Sequence, residues 1–150
     1  MPDQPRIDAN ERERKHWDLC HPIVGIFYSV YNELGYGFLE AVYEEALSIG
    51  MSEAGLSIGR QIATPIWFRG RTIGEYKADL IVNHHVVLEL KAARVLDASH
   101  EAQILNYLRA TDIEVGLLRN FGPKPHFKRF VFETSNKGIR VHSRLNRFCP

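Results

Sequence analysis

The amino-acid sequence predicts an α/β fold in which a mixed sheet is flanked by helices, and three observations lead there. Apolar residues recur at helical spacing up to about residue 54, β-branched and aromatic runs take over between residues 62 and 91, and one helical and two strand patterns follow. The order is helices, three strands, helix, strand, strand, which suits one sheet covered by helices.

The first helix is carried by Trp17, Cys20, Val24, Phe27, Tyr31 and Leu34, whose spacings of three and four place them on one face. Pro22 is expected to start or kink it, and Gly35 and Gly37 to stop it. A second helix is predicted over about Phe38 to Ala54, with Leu39, Val42, Ala46 and Leu47 inward and Gly55 as the cap. Two strands, Ile62 to Arg69 and Thr72 to Val82, are separated by a Gly70-Arg71 turn, and a third runs from Val86 to Lys91 after Asn83-His84-His85. Ser99, or Asp97 before it, can cap a third helix reaching about Ala110. Val115 to Leu118 and Phe127 to Phe132 read as the last two strands.

A length of 150 residues with 45% hydrophobic and 11% aromatic residues suits a single domain, expected over residues 16–150 after a flexible leader at residues 1–15. Charges interrupt every apolar stretch well short of the roughly 20 residues a membrane-spanning helix needs, and no signal-peptide pattern appears. The expectation is a cytoplasmic protein that does not engage membranes. Cys20 and Cys149 match neither a metal knuckle nor a disulfide framework and read as structural thiols. The net charge of +1 is unevenly spread: Arg119, Lys124, Lys128, Arg129, Lys137, Arg140, Arg144 and Arg147 stand against Glu133 alone, enough for one basic face towards phosphates.

Chemistry is concentrated in the strand pair. Ala78-Asp79-Leu80-Ile81-Val82 and Val87-Leu88-Glu89-Leu90-Lys91 carry two carboxylates and an amine in otherwise apolar strands. Side chains alternate along a strand, so Glu89 and Lys91 share a face. Asp79 joins them if the three-residue loop Asn83-His84-His85 pairs Val82 with Val86 and Ile81 with Val87, a loop length that uses a left-handed residue of the kind Asn tolerates. Two acids so placed repel unless a cation lies between them. Mg²⁺ or Mn²⁺ fits, because a hard ion takes one or two carboxylates and keeps waters for a phosphate oxygen and an attacking water. Lys91 would hold or deprotonate that water, or offset charge on the phosphorus. The same string also describes an ordinary hairpin in which Lys77 and Lys91 pair with the acids. His84-His85 are turn residues on this reading.

The helix that follows carries a polar stripe, His100, Gln103 and Tyr107, with Ala102, Leu105 and Leu108 on another face; such a stripe would wall a site. Glu40 and Tyr43 lie one turn apart on the second helix. Glu40 can supply a third carboxylate, or serve as a first-turn acid favoured by the helix dipole.

Gly37-x-x-Glu40-x-x-Tyr43, Ala78-Asp79-Leu80, Glu89-Leu90-Lys91, His100-Glu-Ala-Gln103, Asn106-Tyr107-Leu108-Arg109 and Val115-Gly-Leu-Leu-Arg-Asn120-Phe121-Gly122 together resemble the GxxExxY proteins of the PD-(D/E)XK nuclease superfamily, over roughly residues 20 to 133. The resemblance implies a restriction-endonuclease-like αβββαβ core with an extra N-terminal helix. It implies that Asp79, Glu89 and Lys91 are catalytic, with Asp79, Glu89 and Glu40 around Mg²⁺ or Mn²⁺. Gln103-Ile-Leu-Asn-Tyr107 is similar to the QxxxY element of RecB-like exonucleases, where the helix after the ExK strand helps line the site, so Gln103 joins the expected catalytic set and Tyr107 the substrate-binding one; His100, Tyr43 and Arg109 of the other shared motifs are expected to bind substrate too. Ala78 departs from the name-giving proline. The implied activity is metal-dependent hydrolysis of phosphodiester bonds in a nucleic-acid partner, DNA first and RNA second; the alternative is a binding module that has kept the fold without cleavage.

Overall fold

The computed structural model describes residues 16–133. Within them, helix α1 (Trp17–Leu34) and helix α2 (Glu40–Glu53) precede a meander of β1 (Ile58–Phe68), β2 (Arg71–Val82) and β3 (Val86–Lys91). Helix α3 (Ala98–Ala110) then leads to β4 (Val115–Phe121) and β5 (Pro125–Val131). The strands form one five-stranded sheet in the order β1-β2-β3-β4-β5, antiparallel except for the parallel β3–β4 pair that α3 connects. This is the mixed α/β sheet with flanking helices that the sequence predicts. The expected leader, Cys149 and the last four cations of the basic run lie outside the described residues.

The sheet is buried on both faces around its centre, which explains the unbroken apolar runs of β3 and β4. On one face Leu80, Val82, Leu88, Leu90, Val115 and Leu117 pack against Cys20, Ile23, Phe27, Tyr43, Leu47 and Met51 of α1 and α2. On the other, Ala78, Val87 and Leu118 pack against Ile104, Tyr107 and Leu108 of α3. Gly116 lets α3 come close: a Cβ there would stand 2.8 Å from Ile104 Cδ1.

The helix faces agree in part with those read by spacing: Cys20, Phe27, Leu47 and Leu108 are buried as expected, while other members of each row are replaced by neighbours. In α1 the buried residues are Cys20, Ile23, Phe27 and Val30, while Trp17 is exposed and Val24 and Tyr31 are half-buried. Pro22 sits in the second turn and the helix runs through it. In α2, Leu39 (79% exposed) and Val42 point outward, and Tyr43, Leu47 and Met51 point inward. Tyr43 decides that choice: its ring stacks on Phe121 at 4.0 Å, and its hydroxyl donates to Gly35 O at 2.7 Å. In α3 the inward residues are Ile104, Tyr107 and Leu108, with Ala102 exposed, because the packing face follows the i, i+3, i+4 set that meets β4. Its N-cap is Asp97, which accepts from Ser99 N at 2.8 Å and His100 N at 3.3 Å.

Among the described residues, three of the four cations of the expected basic face are engaged elsewhere, and Lys124 is exposed. Arg119 is fully buried between the rings of Phe27 and Phe127, Lys128 pairs with Glu101 at 2.5 Å, and Arg129 lies over Trp17. Among the described residues Arg119 makes no hydrogen bond through Nε or either terminal nitrogen, and burial pulls its guanidinium down to about 10. Cation–π contacts worth up to roughly 2 kcal/mol each offset only part of the desolvation cost of a buried cation. Arg119→Met, which keeps the packing volume and removes the charge, is expected to stabilise the protein by about 1–3 kcal/mol in urea denaturation. A loss of stability in that variant would show that the cation itself holds α1 to the sheet.

Candidate active site

The site is made by an irregularity in the meander. Loop residues Asn83 and His84 both adopt left-handed φ values of 49° and 60°, and the register is Val82↔Val86, Ile81↔Val87 and Leu80↔Leu88. That is the pairing the three-residue loop predicts. His85 serves the turn, its ring stacked on His16 at 4.8 Å.

Beyond Leu80 the ladder changes. Asp79 does not pair with Glu89 through the backbone; its Oδ2 accepts a hydrogen bond from Leu90 N at 2.8 Å. The carboxylate thus replaces the carbonyl that a continuing ladder would present, and this fixes the acid against β3. The partner strand is irregular at the same level. Gln61 has φ 48° and stands unpaired between Arg60↔Leu80 and Ile62↔Ala78. Face alternation also slips here, since Ala78 packs on the α3 side and Leu80 on the α1/α2 side although they are two residues apart.

Ile81 and Val87 belong to the α3-side cluster, so Glu89 and Lys91 project to that side by alternation. Glu89 is 4% exposed and its Oε1 has no hydrogen-bond partner. Burial first, then repulsion from Asp79, pushes its carboxyl from an ordinary 4.5 up to about 8, while Tyr76 and Lys91 pull it back down. Tyr76 is near enough to stabilise the ionised carboxylate, but its hydroxyl and Glu89 Oε1 do not complete a well-formed hydrogen bond. Burial and the neighbouring Glu89 hold the Tyr76 hydroxyl in its protonated, donor form. Lys91 is half-buried, and neither it nor Lys77 forms an ion pair with Asp79 or Glu89 among the described residues. The ordinary paired hairpin is therefore not what forms.

The remaining sequence-predicted residues divide. Tyr107 is buried beside the site, its ring 5.1 Å from that of Tyr76. His100 accepts from Asp97 N at 3.3 Å through Nδ1, which ties it to the start of α3. Gln103 is exposed on α3, and Arg109, also exposed, lies over Phe132 at 5.5 Å. Tyr43, expected to touch substrate, is instead fully buried with its hydroxyl committed to backbone, so it belongs to the core. Glu40 is exposed at the start of α2. One turn later, Glu44 is buried and accepts from Gln61 Nε2 at 2.7 Å, and the same amide reaches Asp79 Oδ1 at 3.4 Å. Glu44 and Gln61 were not singled out by sequence; the only hint was an acid four residues after Glu40 on the same helix face.

The connection that follows β3 is clamped to β4. Asn120, which pairs with Lys91 in register, accepts from Ala93 N at 3.0 Å and donates to Ala93 O at 2.8 Å. Two residues on, a Cβ at Gly122 would stand 2.2 Å from Ala93 O. Gly122→Ala must displace this segment and is expected to cost about 3 kcal/mol in denaturant unfolding; a variant within 0.5 kcal/mol of the parent, roughly the spread of surface substitutions, would show that the clamp yields freely.

Among the described residues no three His, Cys, Asp or Glu side chains form a ready-made metal cluster. The donors nevertheless fit a hard divalent ion. Mg²⁺ needs only one or two carboxylates, and here two acids repel each other while one buried carboxylate oxygen lacks any donor. Among the described residues no helix is long and apolar enough to cross a membrane.

No curated protein matches the chain. Among solved structures, the crystal structure of SSO0001 is similar, with 18% sequence identity, a TM-score of 0.49, and coverage of 91% of this chain and 68% of that one. A family model of the PD-(D/E)XK nuclease superfamily matches residues 17–130, the span that contains both helices before the meander, Asp79, Glu89, Lys91 and all of α3. The chain belongs to the PD-(D/E)XK nuclease superfamily.

Proposed function

We propose that the protein is a divalent-metal-dependent nuclease of the GxxExxY group that hydrolyses phosphodiester bonds, with DNA as the preferred substrate over RNA. The observation that carries this reading is the pair Asp79 and Glu89, one anchored by Leu90 N and the other buried with an unpartnered oxygen and a raised carboxyl, beside a lysine bound to neither. Asp79 and Glu89 would hold Mg²⁺ or Mn²⁺, which polarises the phosphate and favours ionisation of water. Glu44, linked to Asp79 through Gln61, is the helix-borne acid best connected to the pair, and Glu40 stands outside it at the helix start. Lys91 orients the attacking water or offsets charge growing on phosphorus. Tyr107 keeps Tyr76 against Glu89, while His100, Gln103 and Arg109 are the α3 side chains offered to substrate.

The near-complete burial of Glu89 favours one alternative, a nucleic-acid or protein-binding module that retains the fold without cleaving. End-labelled DNA and RNA, single- and double-stranded, incubated with the protein in Mg²⁺, Mn²⁺ or EDTA separate the two. Metal-dependent DNA cleavage that EDTA abolishes is expected. Salt-sensitive binding with no cleavage in any metal would overturn the nuclease reading.

A further inference from the structure

The β1–β2 hairpin is much longer than the sheet needs. β2 pairs with β3 only from Leu80 to Val82, whereas its pairing with β1 continues to Phe68↔Arg71 across a tight turn at Arg69 and Gly70, both with positive φ. The turn lies one residue before the position that the sequence suggests. Every residue from Phe68 to Glu75 is exposed, so the outer hairpin is covered on neither face. Its side chains are unusual for a solvated tip: Phe68 is 56% and Ile73 65% exposed, with Ile66 also exposed behind them. Among the described residues Arg69 and Arg71 make no ion pair, Arg69 lying over the Phe68 ring at 5.0 Å, and no acid occurs between Phe68 and Gly74.

We propose that this hairpin is a substrate-gripping arm that enters a groove of duplex DNA beside the cut. The proposal rests on the nuclease reading and extends it to the form of the substrate. A two-stranded ribbon has the width that the major groove admits, about 12 Å. Arg69 and Arg71 supply phosphate or base-edge contacts, and Phe68 and Ile73 supply apolar contacts to bases and sugars. Charge complementarity selects a polyanion: the outer hairpin presents two exposed guanidinium groups before its first acid, Glu75. The reach is set by β2 itself, which carries both Asp79 and Arg71. Eight residues at about 3.3 Å each span roughly 26 Å, so the tip meets the duplex about 8 base pairs from the scissile phosphate at about 3.4 Å per pair.

Fluorescence anisotropy with a 30-base-pair labelled duplex, in Ca²⁺ to suppress cutting, tests the arm on the full chain. R69A/R71A is expected to weaken binding at least 10-fold and to reduce the slope of log affinity against log salt by about two, with R69K/R71K recovering most of both. In Mg²⁺ the alanine variant should raise KM far more than it lowers kcat. Shortening the duplex below about 8 base pairs on the arm side should cost the parent protein the same affinity and leave R69A/R71A unaffected. If R69A/R71A binds like the parent while metal-dependent cleavage persists, the arm is refuted and the nuclease reading stands. A loss confined to single strands refutes the duplex assignment. A parent protein that neither binds nor cuts any nucleic acid removes the nuclease reading and the arm together.

Discussion

Lys91→Ala is expected to lower kcat for Mg²⁺-dependent DNA cleavage about 10³-fold, within the range found when a proton-transfer group or a charge-stabilising donor is removed. The fold should survive. Lys91 is half-buried at the end of β3 and makes no ion pair among the described residues, so its truncation leaves no charge orphaned there. One side effect follows from its neighbour: Lys91 lowers the proton affinity of Glu89, so its loss lets that carboxyl rise further and weakens metal binding near neutral pH. Cleavage should therefore be measured from pH 7 to 9 at saturating Mg²⁺. Lys91→Arg discriminates between roles, since arginine keeps the charge but cannot give up a proton at these pH values. Recovery in Lys91→Arg assigns an electrostatic role, and persistent inactivity assigns proton transfer. Wild-type rates in Lys91→Ala would remove the lysine from the mechanism.

Glu89→Gln is expected to abolish cleavage while making the metal-free protein more stable at alkaline pH. The buried Glu89 carboxyl is held up at about 8 against an ordinary 4.5. Between those values the folded protein keeps a proton that the unfolded chain has released, so raising the pH across that window destabilises the native state. The loss is complete above about pH 8 and reaches at most roughly 5 kcal/mol. A glutamine stays neutral throughout and its amide can donate to Asp79, so the variant should escape the decline. Melting temperatures of the parent in EDTA should fall from pH 6 to pH 9 and those of Glu89→Gln should not follow. Mg²⁺ should restore the parent at pH 9 and leave the variant unmoved. Parallel curves for the two proteins in EDTA would mean that Glu89 ionises freely and that no charge repulsion awaits a cation.

Much of the site was legible because its residues are local to one hairpin. An odd loop containing an asparagine sets a register that brings the Asp79 and Glu89 levels together, and alternation alone puts Glu89 and Lys91 on one face. The anchoring of Asp79 by Leu90 N was not legible. It occurs at the level of a left-handed Gln61 in the neighbouring strand, and nothing in the composition of β1 announces that break. Helix faces were legible only in part: Leu47 is buried and Ala46 packs on the core as spacing predicts, but Leu39 and Val42 are exposed, because the stacking of Tyr43 on Phe121, far away in sequence, turns Tyr43 and Met51 inward instead. The same contact turned Tyr43 from an expected substrate contact into a core residue. Charge counting misread Arg119, since a cation in the middle of an apolar strand looks identical whether it faces solvent or two aromatic rings.

The sequence by itself determined the element order, the mixed sheet, the hairpin register and the acid–acid–lysine set, because periodicity, turn length and side-chain alternation act over a few residues. Only the tertiary structure decided which helix residues complete the buried faces, which helix acid is linked to Asp79 through Gln61, and that the first hairpin runs on past the sheet with an exposed cationic and apolar tip. Those outcomes depend on contacts between elements remote in the chain, where several local solutions are nearly equal in energy and packing selects one.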